Sequence, residues 1–413
     1  MFFSYFTSFF KTEYFRQNRT LILLLFAWLF RLCFLLQGNY GSVAINKYVF
    51  LQIGLILALF FIMVSRNFYP SQLFLSPSTR PFAFIYFLGM VSILWSVLPL
   101  MSCFFAFENL VCMTVLLYLG LRCKDKFQLE RFFIGMVIAI LLMFFSRQCL
   151  LGGFYFHSVS YSTVAAMLTT YCLGEWGKSN RPRENITSLK MGLAFGAGFL
   201  ILTTSGGAIF SAFLSCLVLV LFARNLSIRF LTFIFLCVFA YMWFSGNTDA
   251  VLSLLFPGKS MASIASAHGR AYVWEMIYEK IAERPWLGWG YAAVERVLPL
   301  YCVDAHNSLI GIRGSLGNVG FAGLIIAMLL QLLYLFKHSG HFGFKGLLVA
   351  TVCAFINSNT TNFLASKAGA SALTFQLLLV LGTVYSYFVV RETASPRNVD
   401  NGIIINTSNI PAK

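Results

Sequence analysis

The chain has 413 residues, of which 59% are hydrophobic and 11% charged, with 46 Phe and a formal net charge of +16. A soluble domain carries about 25% charge, and no soluble core absorbs this much apolar side chain, so composition excludes a soluble protein and indicates an integral membrane one. In a soluble protein the basic excess would suggest nucleic acid; here it reads as short basic loops that orient membrane spans, and no nucleic-acid partner is expected.

Taken in order, the chain opens with a Phe-rich stretch, Met1 to Phe10, that suits the membrane interface. Lys11, Arg16 and Arg19 then precede a full-length apolar run, the pattern of an uncleaved first helix. A helix needs about 20 apolar residues to cross a bilayer. Twelve candidate spans follow, near 20–37, 48–64, 81–96, 101–121, 131–150, 160–176, 190–204, 207–223, 229–245, 317–336, 345–359 and 371–390. Alternate loops are basic: Arg66 and Arg80; Arg122, Lys124, Lys126 and Arg131; Lys178, Arg181, Arg183 and Lys190; Arg224 and Arg229; Lys337 and Lys345. The loops between them hold little more than Lys47, Arg147 and Lys367. This alternation predicts both termini in the cytoplasm and the long loop, about 246–316, on the outer side.

The expected organisation is all-α: a multi-pass bundle in the cytoplasmic membrane. N-terminal spans occupy 1–245, an outer loop with short interfacial helices 246–316, C-terminal spans 317–391, and a disordered polar tail 392–413. Two charges fall inside spans, Arg31 and Glu108. An intramembrane ionisable residue is a functional candidate by default, and a mutual pair or a position near the outer headgroups are alternative readings. The ten cysteines are scattered without a CxxC pair, which argues against a disulfide framework and a zinc site.

The run from Pro257 to Gly323 is where polar chemistry gathers. With Asp249 it holds six of the fourteen acidic residues, and by itself two of the five histidines. From Arg270 to Arg284 the pattern is helical, with Arg270, Trp274, Ile277 and Ile281 on one face, Glu275, Glu279 and Glu283 on the other, and Pro285 as the stop. Arg270 sits in the first turn, where free N–H groups and the helix dipole already favour an anion, and its planar guanidinium suits phosphate oxygens. Pro285-Trp286-Leu287-Gly288-Trp289-Gly290-Tyr291 is a turn dense in aromatics, suited to sugar rings and equally to the bilayer interface. His306 exchanges a proton near neutral pH, and Asn307 fits a helix cap. Asp304 and His306 alone do not make a metal site, and there is no P-loop, GxGxxG or Asp-x-Asp motif, so neither metal nor cofactor is expected.

The ordered set Gly269-Arg270, Trp274, Pro285, Gly288 to Gly290 and His306-Asn307, then a Gly-spaced start to the next span, resembles the O-antigen ligase and O-antigen polymerase family. Ser92-Ile93-Leu94-Trp95-Ser96-Val97-Leu98-Pro99 is similar to a short outer turn of those proteins. The resemblance implies a fold like the GT-C membrane glycosyltransferases. It implies metal-independent, inverting transfer of a glycan from undecaprenyl diphosphate at the periplasmic face. The acceptor would be a second lipid-linked glycan or a lipid A core sugar; membrane lipid and chain-length regulator proteins would be further partners. By the same resemblance Arg270 corresponds to the diphosphate-binding arginine and His306 to the general base. Two departures stand out. The turn Thr203-Thr204-Ser205-Gly206-Gly207 lacks the arginine that many members carry there, and Arg313 stands where a glutamate often follows the His-Asn pair. Arg147 and Arg313 are candidate substitutes at the diphosphate, with Trp274, Trp286, Trp289 and Asn307 as further substrate-binding candidates. The missing arginine inclines the reading to a polymerase over a ligase. A repeat-unit flippase is the competing class, although no internal repeat of the transporter kind is visible.

Overall fold

The computed structural model describes residues 13–34, 47–150, 159–176, 181–203, 205–221, 270–298, 305–364 and 366–393. The span expected at 229–245, the Phe-rich start, Cys302, Asp304 and the polar tail lie outside the described residues. Those described form helices and no strand. In chain order they are α1 (Glu13–Phe34), α2 (Lys47–Ser65), α3 (Arg80–Val91), α4 (Pro99–Leu121), α5 (Lys126–Leu150) and α6 (Val159–Glu175), then α7 (Arg183–Thr203), α8 (Gly206–Leu221), α9 (Arg270–Glu283), α10 (Ser308–Lys337), α11 (Phe344–Asn357) and α12 (Ala370–Thr393). Among the described residues five segments are long and apolar enough to cross a bilayer: Pro99–Leu121, Lys126–Arg147, Arg183–Thr203, Ser308–Lys337 and Ala370–Arg391. Ser308–Lys337 is broken at Gly317, so the span expected from 317 corresponds to its second part, and Asn307 caps the part before the break.

Helix α6 is the centre of the bundle. Its residues from Tyr161 to Cys172 are buried, and α7, α8, α11 and α12 pack against it. Small residues permit the close approach. A Cβ on Gly174 would lie 2.6 Å from the Cα of Gly346 in α11, and one on Gly196 of α7 would lie 2.5 Å from Thr169 Oγ1. Lipid tails are as apolar as the helices, so association depends on such contact and on buried polar bonds.

The basic loops gather at one end. Arg66 and Arg122 both lie over the Tyr118 ring, and Lys126 and Arg181 both lie over Phe342. The same end holds a buried ion cluster that sequence reasoning did not find. Arg181 bridges Glu130 of α5 and Glu175 of α6. Tyr171 Oη and Asn185 Nδ2 also donate to Glu130, and the Gly346 N–H donates to Glu175 at 2.9 Å. Burial alone would lower the Arg181 pKa, but the two carboxylates outweigh it and hold Arg181 above its ordinary value. Replacing it would leave two carboxylates facing each other without a cation. Arg181→Met is therefore expected to destabilise the protein by roughly 3–5 kcal/mol, read as a lower melting temperature in detergent; an unchanged melting temperature would contradict the clamp.

Arg31 and Glu108 are linked through a third residue. Arg31 Nη1 donates to Gln52 Oε1 at 2.6 Å, the Gln52 amide donates to Glu108 Oε1, and Trp28 Nε1 donates to the same oxygen at 2.8 Å. Arg31 and Glu108 are 1% and 0% exposed, enclosed by protein; together with Gln52 they pin α1 and α2 onto α4.

At the other end the aromatic turn after α9 is set into a break in α10. Gly317 has φ 65° and ψ −162°, a conformation essentially reserved for glycine. The break frees backbone groups that the turn takes up. Trp289 N–H donates to Gly314 O, Gly290 N–H to Ser315 O, and Asn318 N–H to Pro285 O. The 92–97 turn closes the other side: Trp95 Nε1 donates to Leu287 O at 2.8 Å, Val97 N–H to Trp289 O, and Ser92 Oγ accepts from Tyr291 N–H. Tyr291 is then buried in the bundle, where its Oη donates to Ser366 O at 2.8 Å. Two stretches distant in sequence are thus one joint. A Cβ at Gly317 would fall 2.2 Å from the Trp286 carbonyl carbon. With the φ penalty added, Gly317→Ala is expected to cost at least about 2 kcal/mol, again read by thermal melting in detergent; parental melting would contradict the joint.

Candidate functional site

Helix α9 begins at Arg270 and ends where Pro285 removes the next donor. Met276, Ile277 and Ile281 are buried against Val294, Leu298 and Ile310, while Glu275, Glu279 and Glu283 are exposed. Burying each large apolar side chain is worth roughly 1.5–3 kcal/mol. This small core fixes α9 to the start of α10 and so fixes Arg270 relative to residues 305–308.

His306 stands at a corner between two immobilised neighbours. Ala305 is fully buried; its N–H donates to Glu295 Oε1 at 2.8 Å and its carbonyl accepts from Trp274 Nε1 at 2.8 Å. Asn307 on the other side caps α10, its Oδ1 accepting from Leu309 N–H and Ile310 N–H at 2.9 and 3.1 Å. His306 itself has φ 50°, a left-handed backbone uncommon for a residue with a side chain. Such conformations persist where surrounding contacts over-determine them, and they cluster at functional sites.

The third part is the polar turn from Asn357 to Asn362 that leaves α11. Arg270 Nη1 donates to Thr360 O at 3.0 Å, and Asn307 Nδ2 donates to the adjacent Asn359 O at 3.3 Å. Ser308 N–H donates to Ser358 O, and Ser308 Oγ donates to Thr361 O and accepts from Phe363 N–H. Asn357, fully buried, organises the turn by accepting from Thr360 Oγ1 at 2.9 Å; its Nδ2 is buried without a partner. The turn at 205–207 meets the same place, since a Cβ on Gly207 would lie 2.9 Å from Thr360 Oγ1. Arg270, the His306 corner and the turn that lacks an arginine therefore converge on 357–362. Sequence reasoning passed over this turn because short loops between spans are usually mere connectors. Its run of Asn, Ser and Thr between two apolar helices was the available signal.

The other candidates lie around this centre or away from it. Trp274 is half-buried, with its indole N–H committed to Ala305. Trp289 donates to Lys280 O at 2.8 Å and lies under Arg284 at 4.2 Å, whereas Trp286 is 69% exposed. Arg313 Nε donates to Asn318 Oδ1 at 3.0 Å across the break in α10. Arg147 Nη1 donates to Tyr161 Oη at 2.9 Å, between α5 and α6. Neither of these last two bonds is to the 357–362 turn. Among the described residues no group of three His, Cys, Asp or Glu could hold a metal ion.

Residues 191–325 match the family model described as O-antigen ligase. The match covers about a third of the chain and is a similarity to that family. No curated protein matches the chain. The matched segment takes in most of α7, all of α8 and α9, and the broken first half of α10. It holds Arg270 and His306, while the turn that carries them belongs to the following residues. The match, in a chain with several helices long and apolar enough to cross a bilayer, supports a multi-pass membrane protein of surface polysaccharide assembly.

Proposed function

We propose that the protein is a metal-independent, inverting membrane glycosyltransferase that moves a glycan from undecaprenyl diphosphate to a sugar hydroxyl at the periplasmic face. The observation that carries this reading is the bonding of Arg270 and of Asn307, next to His306, to adjacent carbonyls of one turn. Arg270 and the neighbour of His306 are thereby bonded to one turn, at the end of the bundle away from the basic loops. By the positive-inside rule that end faces outward.

The chemistry needs two things from the protein. The His306 imidazole takes the proton of the acceptor hydroxyl as its oxygen bonds to the anomeric carbon. The bond from that carbon to the phosphate oxygen breaks, its electron pair leaves with undecaprenyl diphosphate, and Arg270 meets the charge that develops. Attack opposite the leaving group inverts the anomeric configuration. Arg147 and Arg313 are the candidate second cations, with Asn307 and the tryptophans 274, 286 and 289 as sugar or lipid contacts. The acceptor is a lipid-linked glycan or a lipid A core sugar. The absent arginine at 203–207 favours a polymerase, with chain-length regulators as partners. The test is the surface glycan of a deletion strain: loss of long chains with a single capped unit retained is the expected result, and loss of all capped core would make the protein a ligase instead. Unaltered glycan would contradict both.

A further inference from the structure

We infer that Glu295 is a positioning residue for His306; the inference rests on the transferase reading above. Glu295 belongs to a short 3-10 turn, Val294–Arg296, that carries no part of the sequence pattern used to find the site. Its Oε1 accepts from two groups in different segments: the Ala305 N–H at 2.8 Å and Asn362 Nδ2 at 3.1 Å. One carboxylate oxygen therefore ties the residue before His306 to the far end of the polar turn. The Trp274 indole holds the other side of the same residue through the Ala305 carbonyl. Ala305 has both backbone groups bonded and is fully buried, so the backbone cannot rotate there. The bend is taken by the next residue, His306, at φ 50°. Asn307 is fixed in turn by capping α10 and by its bond to Asn359. Asn362 packs against Gly311 of α10, where a Cβ would lie 2.8 Å from its Nδ2, so the amide is seated as well as bonded. The left-handed corner is thus imposed from both sides, and Glu295 is the charged part of the clamp. A general base must lie within hydrogen-bond reach of the proton it takes, and a displacement of about 1 Å can cost 10²-fold in rate.

The experiment compares Glu295→Gln with Glu295→Ala in the full-length protein in detergent, with a purified undecaprenyl-diphosphate-linked glycan as donor. Gln keeps a carbonyl oxygen for Ala305 and Asn362, whereas Ala leaves both donors without an acceptor. The expected result is near-parental kcat for Glu295→Gln and a loss of roughly 10²-fold for Glu295→Ala with little change in donor KM. A second readout is the rate at which diethyl pyrocarbonate modifies His306, followed by mass spectrometry; it should rise in Glu295→Ala and stay parental in Glu295→Gln. If Glu295→Ala does not insert, Asn362→Ala removes one leg of the clamp and is expected to shift both readouts in the same direction. Parental kcat or parental His306 modification in the alanine variants overturns the inference. The modification rate needs no turnover, so a parent protein that forms no product would defeat the transferase reading while the His306 rates still decide the role of Glu295.

Discussion

Arg270→Ala is expected to lower kcat for glycan transfer by about 10²–10³, the usual loss when one preorganised donor to a developing negative charge is removed. The protein should still insert and melt near the parental temperature. Arg270 is only partly buried and stands at the edge of the α9 packing, whose core is Met276, Ile277 and Ile281. Removing its hydrogen bond to Thr360 O leaves an acceptor at a polar turn. Arg270→Lys keeps the charge but loses the planar fork that matches phosphate oxygens, so it should fall between parent and Ala. Activity of Arg270→Ala equal to the parent, measured on inserted protein, would remove the guanidinium from the mechanism.

His306→Ala is expected to cost about 10²–10⁴ in kcat, the range for loss of a general base. The left-handed backbone at this position allows a sharper comparison. Glycine adopts φ 50° without strain, so His306→Gly should be at least as stable as His306→Ala and equally inactive. If His306→Gly recovered activity lost in His306→Ala, the corner would matter only as a bend, and the imidazole would have no chemical part.

The two principal residues of the proposed site, Arg270 and His306, stand out in the sequence for local reasons. Arg270 follows a Gly and opens an amphipathic helix; the alternation of Ile277 and Ile281 with Glu275, Glu279 and Glu283 specifies which face packs. Asn307 before Ser308 is a cap signal, and the structure uses it as one. What was not legible is what depends on distant partners. Glu295, the 357–362 turn and the Arg181 cluster are each made by side chains or backbone groups brought together across elements, which no local period encodes. Gln52 illustrates the limit: Arg31 and Glu108 announce themselves as charges within apolar spans, but the amide that joins them does not. The joint between the 92–97 turn and the 285–291 turn was visible only as two separate resemblances. The glycines at 288, 290 and 317, with φ of 65°, 107° and 65°, are the physical reason they fit.

The most direct measurement is product formation by purified protein reconstituted in lipid with an undecaprenyl-diphosphate-linked glycan, in EDTA, comparing parent with an Arg270→Ala/His306→Ala double variant. The account predicts release of undecaprenyl diphosphate together with a new, inverted glycosidic bond from the parent, and neither above background from the double variant. Equal product from both, or product of retained configuration, would contradict it.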